Sequence, residues 1–459
     1  MEVVILAAGK GTRMYSAHPK VIHTIGGKPM LQRVIETAIK ANANSLHVVI
    51  GFGADRIKNH FEKIESFKSV NWLLQEHQLG TGHAVQQAVS SINSDDENNT
   101  ILVLYGDVPL IQADTLEKLL KLSRQNAVSL LTLETENNEG LGRIIRNDAN
   151  EVVAIVEEKD ATAEQKHIQE VNSGIMAISA MHLPDWLARL DNSNEQAEYY
   201  LTDIVALAVE DGCKISALTI ADENEVQGVN DKSQLAHLER QLQMTNNSKL
   251  LEQGVTLRDP TRVDVRGELS CGQDVEIDVN VIFEGSVTLG NNVSIGANVI
   301  IKDSSIDDGS VILANTNIEG ASIGKDTAIG PSARIRPGTI LRDKVKIGNF
   351  VETKKAVIGE GSKANHLAYI GDAEIGKDCN IGAGTIFCNY DGVNKHKTTL
   401  GNNVFIGSNS VLVAPVNLAD NTFVAAGSAI NSDVPSDNLA VGRTKQRNIS
   451  GWKRPVKKD

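Results

Sequence analysis

Apolar residues follow two different rhythms along this chain, and the rhythm changes near its middle. In the first half the apolar runs are short and rich in β-branched residues. EVVILAAG (2–9), SLHVVIGF (45–52), VNWLLQ (70–75), TILVLYGD (100–107) and AVSLLTLE (127–134) have the length and composition of buried strands. Between them KPMLQRVIETAIKANA (28–43), GTGHAVQQAVSSI (80–92) and ADTLEKLLKLSRQ (113–125) space their apolar residues three and four apart, which predicts helices. Strands alternating with such helices build βαβ units, so this half is expected to be an α/β domain with a Rossmann-like, mostly parallel sheet. Ligands of such sheets bind beyond the carboxyl ends of the strands. That rule places the 6–20 loop, Gln75, Tyr105, Gly106 and Asp107 on one rim.

The stretch 231–253, DKSQLAHLERQLQMTNNSKLLEQ, is polar with aliphatics at helical spacing and predicts a connecting helix. Beyond it the period becomes six. Ile277, Phe283, Leu289, Ile295 and Ile301 are six apart, as are Ile323, Ile329, Ile335, Leu341 and Ile347. Leu400, Ile406, Leu412, Leu418, Val424 and Ile430 repeat the spacing. Neither a helix nor an ordinary strand has that period, whereas a parallel β-helix of hexapeptide repeats does. Each step is one short strand and a corner, with the small residue that follows the aliphatic expected to permit the turn. Roughly ten coils about 4.8 Å apart would stack to about 50 Å. The general crossover rule would favour a right-handed coil. The expected division is 1–230, a linker helix at 231–253, and 254–459.

The ladder slips by one residue at Ile301–Ile306, Ile318–Ile323 and Ile370–Ile375, and again within 347–358 and 387–400. FCNYDGVNKHKTT (387–399) has the polar, Gly-containing look of a loop thrown out of the prism. Function is usually hung on such interruptions.

Composition narrows the partners. A net charge of −13 disfavours a non-specific nucleic-acid binder, because phosphate backbones require a basic surface. GWKRPVKKD (451–459) is the one basic cluster, suited to a local anion contact. Aromatic residues make up only 4% while Gly reaches 38 copies, which fits many thin, tightly turned layers. Four cysteines, Cys213, Cys271, Cys379 and Cys388, form no C-x-x-C pair and no disulfide framework. Cys379 and Cys388 lie near histidines, but packing is the simpler role for them than a metal. No apolar run approaches a membrane span, and the chain opens on a strand rather than a signal peptide. A soluble protein of a reducing cytoplasm is expected.

Two groups of residues carry chemistry. LAAGKGTRMYSAHPK (6–20) is Gly-rich after a strand, yet is neither a Walker A loop nor G-x-G-x-x-G. Its turn lets backbone N–H groups approach an anion, and Arg13 and Lys20 add fixed positive charge. Asp107 stands just past a buried strand, either as a turn residue or where a carboxylate meets a phosphate-bound magnesium ion. In the second half His366 sits in GSKANHLAYIGDAEIG (361–376). One of eleven histidines, it reads alone as a surface or packed residue. Arg336, Lys354 and Tyr369 lie within about two coils of it. Two cations, a hydroxyl and an imidazole that can take up a proton near neutral pH suit a sugar phosphate.

L-A-A-G-x-G-T-R-M with P-K, Q-x-x-x-x-G-T and Y-G-D-x-P-L together resemble the sugar-1-phosphate nucleotidyltransferases. With RIRPG, GNFVETKKA, HLAYIGDAEIG and IGAGTIFCNYDG in the hexapeptide half, essentially the whole chain resembles one bacterial family. It is the bifunctional N-acetylglucosamine-1-phosphate uridyltransferase/glucosamine-1-phosphate acetyltransferases. That resemblance implies a nucleotide site at Leu6, Ala7, Ala8, Gly9, Arg13, Lys20, Gln75, Gly80, Thr81, Tyr105, Gly106 and Asp107, with Gln75 and Gly80-Thr81 reading uracil. It implies a sugar side at Gly142, Glu157, Asn172 and Asn230, and Mg²⁺ on Asp107 and Asn230. Asn230 comes from the resemblance alone, since VQGVND (226–231) reads as a turn. An extra residue in NDANEV (147–152) leaves Glu157 and Glu158 both eligible, with IVEEKD favouring Glu157; Ser173 stands where the family commonly has Thr. For the second reaction the resemblance implies His366 as general base and Arg336, Lys354, Tyr369 and Asn380 holding glucosamine-1-phosphate. Asn389 and Tyr390 of the thrown-out loop complete the pocket on the acetyl-CoA side, with Ala383, Ser408, Ala426 and Arg443 and the basic tail near its phosphates. It further implies left-handed prisms, a homotrimer through them with sites built between neighbours, and UTP and acetyl-CoA as co-substrates, with no nucleic-acid or membrane partner. His396 and His167 are expected to be surface residues. Two other readings are a nucleotidyltransferase for a different base or sugar, and a non-catalytic regulatory subunit of the same plan. The latter is expected to lack the Arg13/Lys20/Asp107 set and the His366 cluster.

Overall fold

The computed structural model describes residues 1–457; Lys458 and Asp459, the end of the basic tail, lie outside the described residues. The chain forms two compact units, 1–242 and 243–459, each described by itself below.

In the first unit the five strand runs read from the sequence become Glu2–Ala7, Ser45–Ile50, Asn71–Leu74, Thr100–Tyr105 and Val128–Glu134. Glu2–Ala7 is central, paired in parallel with Ser45–Ile50 on one side and Thr100–Tyr105 on the other. It is therefore the point at which the strand order reverses, and its carboxyl end is where a ligand crevice opens. Val3, Val4 and Ile5 are wholly buried, because helices cover both faces of the sheet. The predicted helices appear as Met30–Lys40, Thr81–Gln86 and Ala113–Ser123.

The sequence reading did not anticipate an antiparallel insertion. Glu170–Ser179 runs antiparallel between Val128–Glu134 and Thr100–Tyr105, and the Arg143–Arg146/Val152–Val156 hairpin pairs beside it. At the opposite rim Glu2 Oε2 lies 2.8 Å from His47 Nε2, while its Oε1 accepts from Asn93 N and Asn99 Nδ2. Burial alone would raise the Glu2 carboxyl, but those hydrogen bonds outweigh it and hold it below its usual value.

The predicted linker is the helix Lys232–Glu252, and the division between units falls inside it. Its C-terminal half belongs to the second unit and caps the first coil. Gln243 accepts from Val265 N at 2.7 Å and donates to Val265 O at 3.0 Å, so its amide takes the place of the missing strand. Asn247 donates to Pro260 O and Val263 O.

The second unit is a parallel β-helix. Strand pairs are offset by 18 residues where three hexapeptides are intact, as in Glu276↔Ser294, and by 17 where the ladder slips, as in Ser294↔Val311. Every aliphatic or aromatic residue of the six-residue series is buried in the prism. The turns differ from expectation. Among the described non-glycine residues, those in the left-handed region are mostly Asn and Asp, such as Asn280, Asn298, Asn315 and Asn421, whereas the glycine after the aliphatic, Gly330 apart, does not have a positive φ. Their side chains stack, Asn280 onto Asn298 at 2.9 Å and Asn298 onto Asn315 at 3.1 Å. The glycine answers a different demand. A Cβ on Gly348 would lie 1.8 Å from Asn365 O of the next coil, so backbone approach excludes a side chain. Cys379 is buried, with Sγ 3.1 Å from Gly401 O, as a packed residue of the prism. No helix among the described residues is long and apolar enough to cross a membrane.

Candidate active sites

The first site is a cavity at the carboxyl end of the central strand. Leu6, Ala7, Ala8, Gly9, Lys20, Gln75, Gly80, Thr81, Tyr105 and Asp107 line it, together with Val21, Gln78, Ala84 and Glu198. A second cavity, sharing Tyr105 and Asp107, contains Arg13 and Asn230. The loop geometry explains both. A Cβ on Gly9 would meet nothing within 4 Å, which leaves its backbone open to a ligand. Gly11 is left-handed and packs on the Lys20 stem, aiming that side chain inward. Lys20 Nζ pairs with Asp107 Oδ2 and lies 3.3 Å from Asn230 Oδ1. Asn230 reaches Asp107 because Val229 N donates to Asp107 O at 2.9 Å, pinning the 226–231 turn there.

Two hard oxygens, one carboxylate and one amide, thus already flank a cation. Among the described residues no cluster of three His, Cys, Asp or Glu side chains is placed for a metal. A donor set this sparse fits a divalent ion that keeps its waters and takes phosphate oxygens.

Gly80 and Thr81 open the short helix Thr81–Gln86. A Cβ on Gly80, at φ 113°, would lie 2.5 Å from Tyr199 O, so only glycine lets this turn close. Tyr199 N donates to Leu79 O, Gly82 N to Tyr199 O, and Leu201 N to Thr81 Oγ1. Segment 199–202 thereby backs the whole turn.

The same segment supports the residues expected to form the sugar side. Thr202 donates to Glu157 Oε1 at 2.9 Å. Burial pushes the Glu157 carboxyl up, and the Thr202 hydrogen bond offsets part of that. Both Glu157 oxygens stand 3.4 Å from where a Cβ on Gly142 would be, and Gly142 O accepts from Asn172 N at 2.8 Å. Asn172 is buried with Oδ1 unpaired, a polar atom that still needs a partner. Glu158 instead pairs at 2.5 Å with Arg143, which is 1% exposed. The geometry therefore sets Glu157, not its neighbour, among Gly142, Asn172 and Thr202. Ser173 closes the bulge in its strand by donating to Leu131 O. The Tyr105 ring lies against Gly174, and burial, with Glu157 and Asp107 nearby, pushes its phenol well above the ordinary range.

Asp203 is the one strongly displaced carboxyl here, pushed up to about 6 by burial and by Glu157, Asp191 and Asp160. A raised carboxyl value means that ionisation costs stability. The cost is absent below the unfolded value near 3.9 and complete above about pH 6. After discounting for its solvent access, about 1 kcal/mol is expected. Asp203→Asn should raise the melting temperature of the first unit by about 2–4 °C at pH 8 and leave it unchanged at pH 4. Calorimetry at the two pH values reads this directly.

In the second unit His366 is exposed, and its Nδ1 lies 2.9 Å from Asn349 Oδ1. The pair sits in register on neighbouring coils. An amide oxygen accepts, so Nδ1 carries the hydrogen and Nε2 keeps a free lone pair. Asn349 lies within GNFVETKKA but was not singled out in the sequence; a 17-residue coil makes it the rung neighbour of His366. Ala364, Ile381, Ile406 and Val424 pair in turn along the same sheet. Two residues past each come His366, Ala383, Ser408 and Ala426, so the histidine heads a column of small residues. Repeated bonds hold that column: Gly384 N to Leu367 O, Asn409 N to Ala383 O, and Gly427 N to Ser408 O. Arg443 donates to Ala426 O at its end.

The cationic residues gather on adjoining strands. Arg336 donates to Glu352 Oε1 at 2.6 Å, and Glu352 is paired with Tyr369. Lys354 is held below its ordinary value by Lys395 of the loop and by Arg336. Asn389 Nδ2 lies 2.5 Å from Asp372 Oδ2 and 3.5 Å from the Tyr369 hydroxyl. The expelled loop is braced by the Tyr390↔Lys395 bridge and by His396 Nε2 to Asp391 at 2.7 Å, so His396 fastens the loop rather than lying free. Among the described residues the Asn380 side chain makes no hydrogen bond to this group; its backbone donates to Val404 O. Tail residues Ile449, Trp452 and Val456 are exposed.

A nucleotide-binding α/β unit and a hexapeptide-repeat prism with an oriented histidine define a two-domain transferase. Comparisons agree. Residues 3–173 match the MobA-like NTP transferase domain, 265–358 the GMPPB C-terminal domain, and 397–432 the hexapeptide repeat of succinyl-transferase. The bifunctional protein GlmU of Marinobacter nauticus is 55% identical over 100% of this chain and 99% of its own. That of Stutzerimonas stutzeri is 52% identical over the full length of both, and that of Pseudomonas syringae pv. tomato 53% over 100% and 99%. The chain belongs to the GlmU family, and is a bifunctional acetyltransferase and uridyltransferase.

Proposed function

We propose that the prism, within 254–459, moves the acetyl group of acetyl-CoA to the amine of glucosamine-1-phosphate. The first unit, within 1–230, then joins the N-acetylated product to UMP from UTP, releasing pyrophosphate. The reading of the acetyl site is carried by the column that His366 heads. Nε2 takes the proton of the substrate ammonium while Asn349 holds the ring; the freed amine attacks the thioester, and CoA leaves as its thiol. Below the histidine, Ala383, Ser408 and Ala426 offer a lane about 14 Å long for the extended arm of CoA. Arg443 supplies a positive charge for its phosphates at the end of that lane. Arg336, Lys354, Tyr369 and Asn380 hold the sugar phosphate, with Asn389 and Tyr390 closing the pocket. Glu352 shares Arg336 with that phosphate.

In the first unit an oxygen of the sugar phosphate attacks the α-phosphorus in line, and the bond to pyrophosphate breaks. Lys20 and Arg13 balance the charge, while Glu157, Asn172 and Gly142 fix the sugar. Asp107 and Asn230 hold Mg²⁺, which when bound offsets charge on the phosphates. Gly80 N and Gln75 Oε1 have no protein partner among the described residues, and both residues line the cavity. A donor beside an acceptor matches the O4/N3–H edge of uracil.

Phe405, Phe423 and Leu439 stand on successive rungs, exposed, with the two rings stacked at 4.4 Å. That apolar strip supports association of prisms, and we take the assembly to be a homotrimer. We place the enzyme in the cytoplasm with its two co-substrates. Pyrophosphate release from N-acetylglucosamine-1-phosphate, measured across four nucleoside triphosphates, should run at least about tenfold faster with UTP. Faster turnover with another nucleotide would replace this reading of the base.

A further inference from the structure

Gln75 is 3% exposed, yet it is the side chain offered to the base. Its Nε2 lies 3.2 Å from Gly80 O and 2.9 Å from His83 Nδ1. A carbonyl can only accept, so the contact with Gly80 O fixes which end of the amide carries the hydrogens. Both amide hydrogens are then committed, one to Gly80 O and one to His83 Nδ1. The oxygen is what remains for a ligand. His83 must therefore accept at Nδ1 and carry its own hydrogen on Nε2. Gln87 Nε2, which donates to His83 O at 2.9 Å, also comes within 3.3 Å of His83 Nε2; with the hydrogen on that nitrogen two donors face each other, so this approach is a contact and not a hydrogen bond. Burial and the neighbouring His77 hold His83 below its ordinary value, which favours the neutral ring.

We propose that His83 is a specificity-determining positioning residue: by accepting from Gln75 it locks the amide with Oε1 toward the base, and so favours uracil over cytosine. The inference rests on the reading of Gln75 as the base reader. Uracil presents N3–H, a donor that Oε1 accepts. Cytosine presents a bare N3, which would face a second acceptor. Turning the amide over to suit cytosine would set Gln75 Oε1 against Gly80 O. His83 resists that turn, since its neutral Nδ1 has no hydrogen to offer an oxygen. Without His83, Gly80 O alone, at the long end of the hydrogen-bond range, opposes the flip. His83 does not line the cavity, so it acts through Gln75.

The test is kcat/KM for UTP and for CTP, read as pyrophosphate release at saturating N-acetylglucosamine-1-phosphate. His83→Leu keeps the shape but removes the acceptor; His83→Ala removes it without bulk, should the first fail to fold. Either should lower the UTP/CTP ratio by roughly tenfold, through KM for UTP, with KM for the sugar phosphate unchanged. His83→Asn, whose Oδ1 has the same bonded position as Nδ1, should keep the ratio within about threefold of the parent. An unchanged ratio in both acceptor-free variants overturns the proposal, as does equal loss in His83→Asn and His83→Leu. Gln75→Leu separates the two readings. If it collapses the ratio while the acceptor-free variants do not, His83 alone falls. If it too leaves the ratio unchanged, the reading of Gln75 falls with it.

Discussion

Replacing His366 with alanine is expected to lower CoA release from acetyl-CoA and glucosamine-1-phosphate by about 10²–10⁴-fold, the usual contribution of a positioned general base. Pyrophosphate release from UTP and N-acetylglucosamine-1-phosphate should be unchanged in the same preparation. The expectation is sharp because His366 is exposed and, among the described residues, its side chain bonds through Nδ1 to Asn349 alone, so its removal leaves no buried cavity. The prism core, including Ala364 and Ile370 on either side of it, stays packed. Loss of both activities in a folded protein would show that the two reactions share machinery.

Asp107→Ala should produce the reverse pattern. Asp107 pairs with Lys20, faces both cavities and anchors the turn that carries Asn230. Its loss frees Lys20 from its position and halves the oxygen set available to a divalent ion. Pyrophosphate release should fall by about 10²-fold or more, as when one preorganised charge-stabilising group is removed. CoA release should persist. A chelator should mimic this variant in the parent protein, stopping pyrophosphate release and sparing CoA release. Persistence of pyrophosphate release in Asp107→Ala would place the phosphate chemistry elsewhere.

Both architectures were legible because each has a period that few folds share. Ile277 through Ile430 mark a prism interior by spacing alone, and Glu2–Ala7 reads as a buried strand from composition. What escaped was contact set by coil length. Asn349 and His366 are 17 residues apart and touch, but only a known coil of 17 makes them neighbours. From Ile381 to Ile406 the count is 25, because the loop at 387–399 is expelled, which hides the column His366–Ala383–Ser408–Ala426. The antiparallel strand bearing Asn172 was missed because EVNSGIMAIS mixes polar and small residues across a bulge. Asn230 looked like a turn, and it is one; its role depends on the bond from Val229 N to Asp107 O. His83 sat unremarked in a predicted helix, since nothing in GTGHAV announces which glutamine it faces. The glycines after the aliphatics were read as turn-makers, whereas the close passage of the next coil is what excludes their side chains.

The central claim is that one chain holds two separate sites acting in sequence. An equal mixture of His366→Ala and Asp107→Ala, supplied with glucosamine-1-phosphate, acetyl-CoA, UTP and Mg²⁺, tests it most directly. Neither variant alone should make UDP-N-acetylglucosamine, and the mixture should make it, each variant supplying the step the other lacks. No product from the mixture, with both variants folded, would contradict the claim.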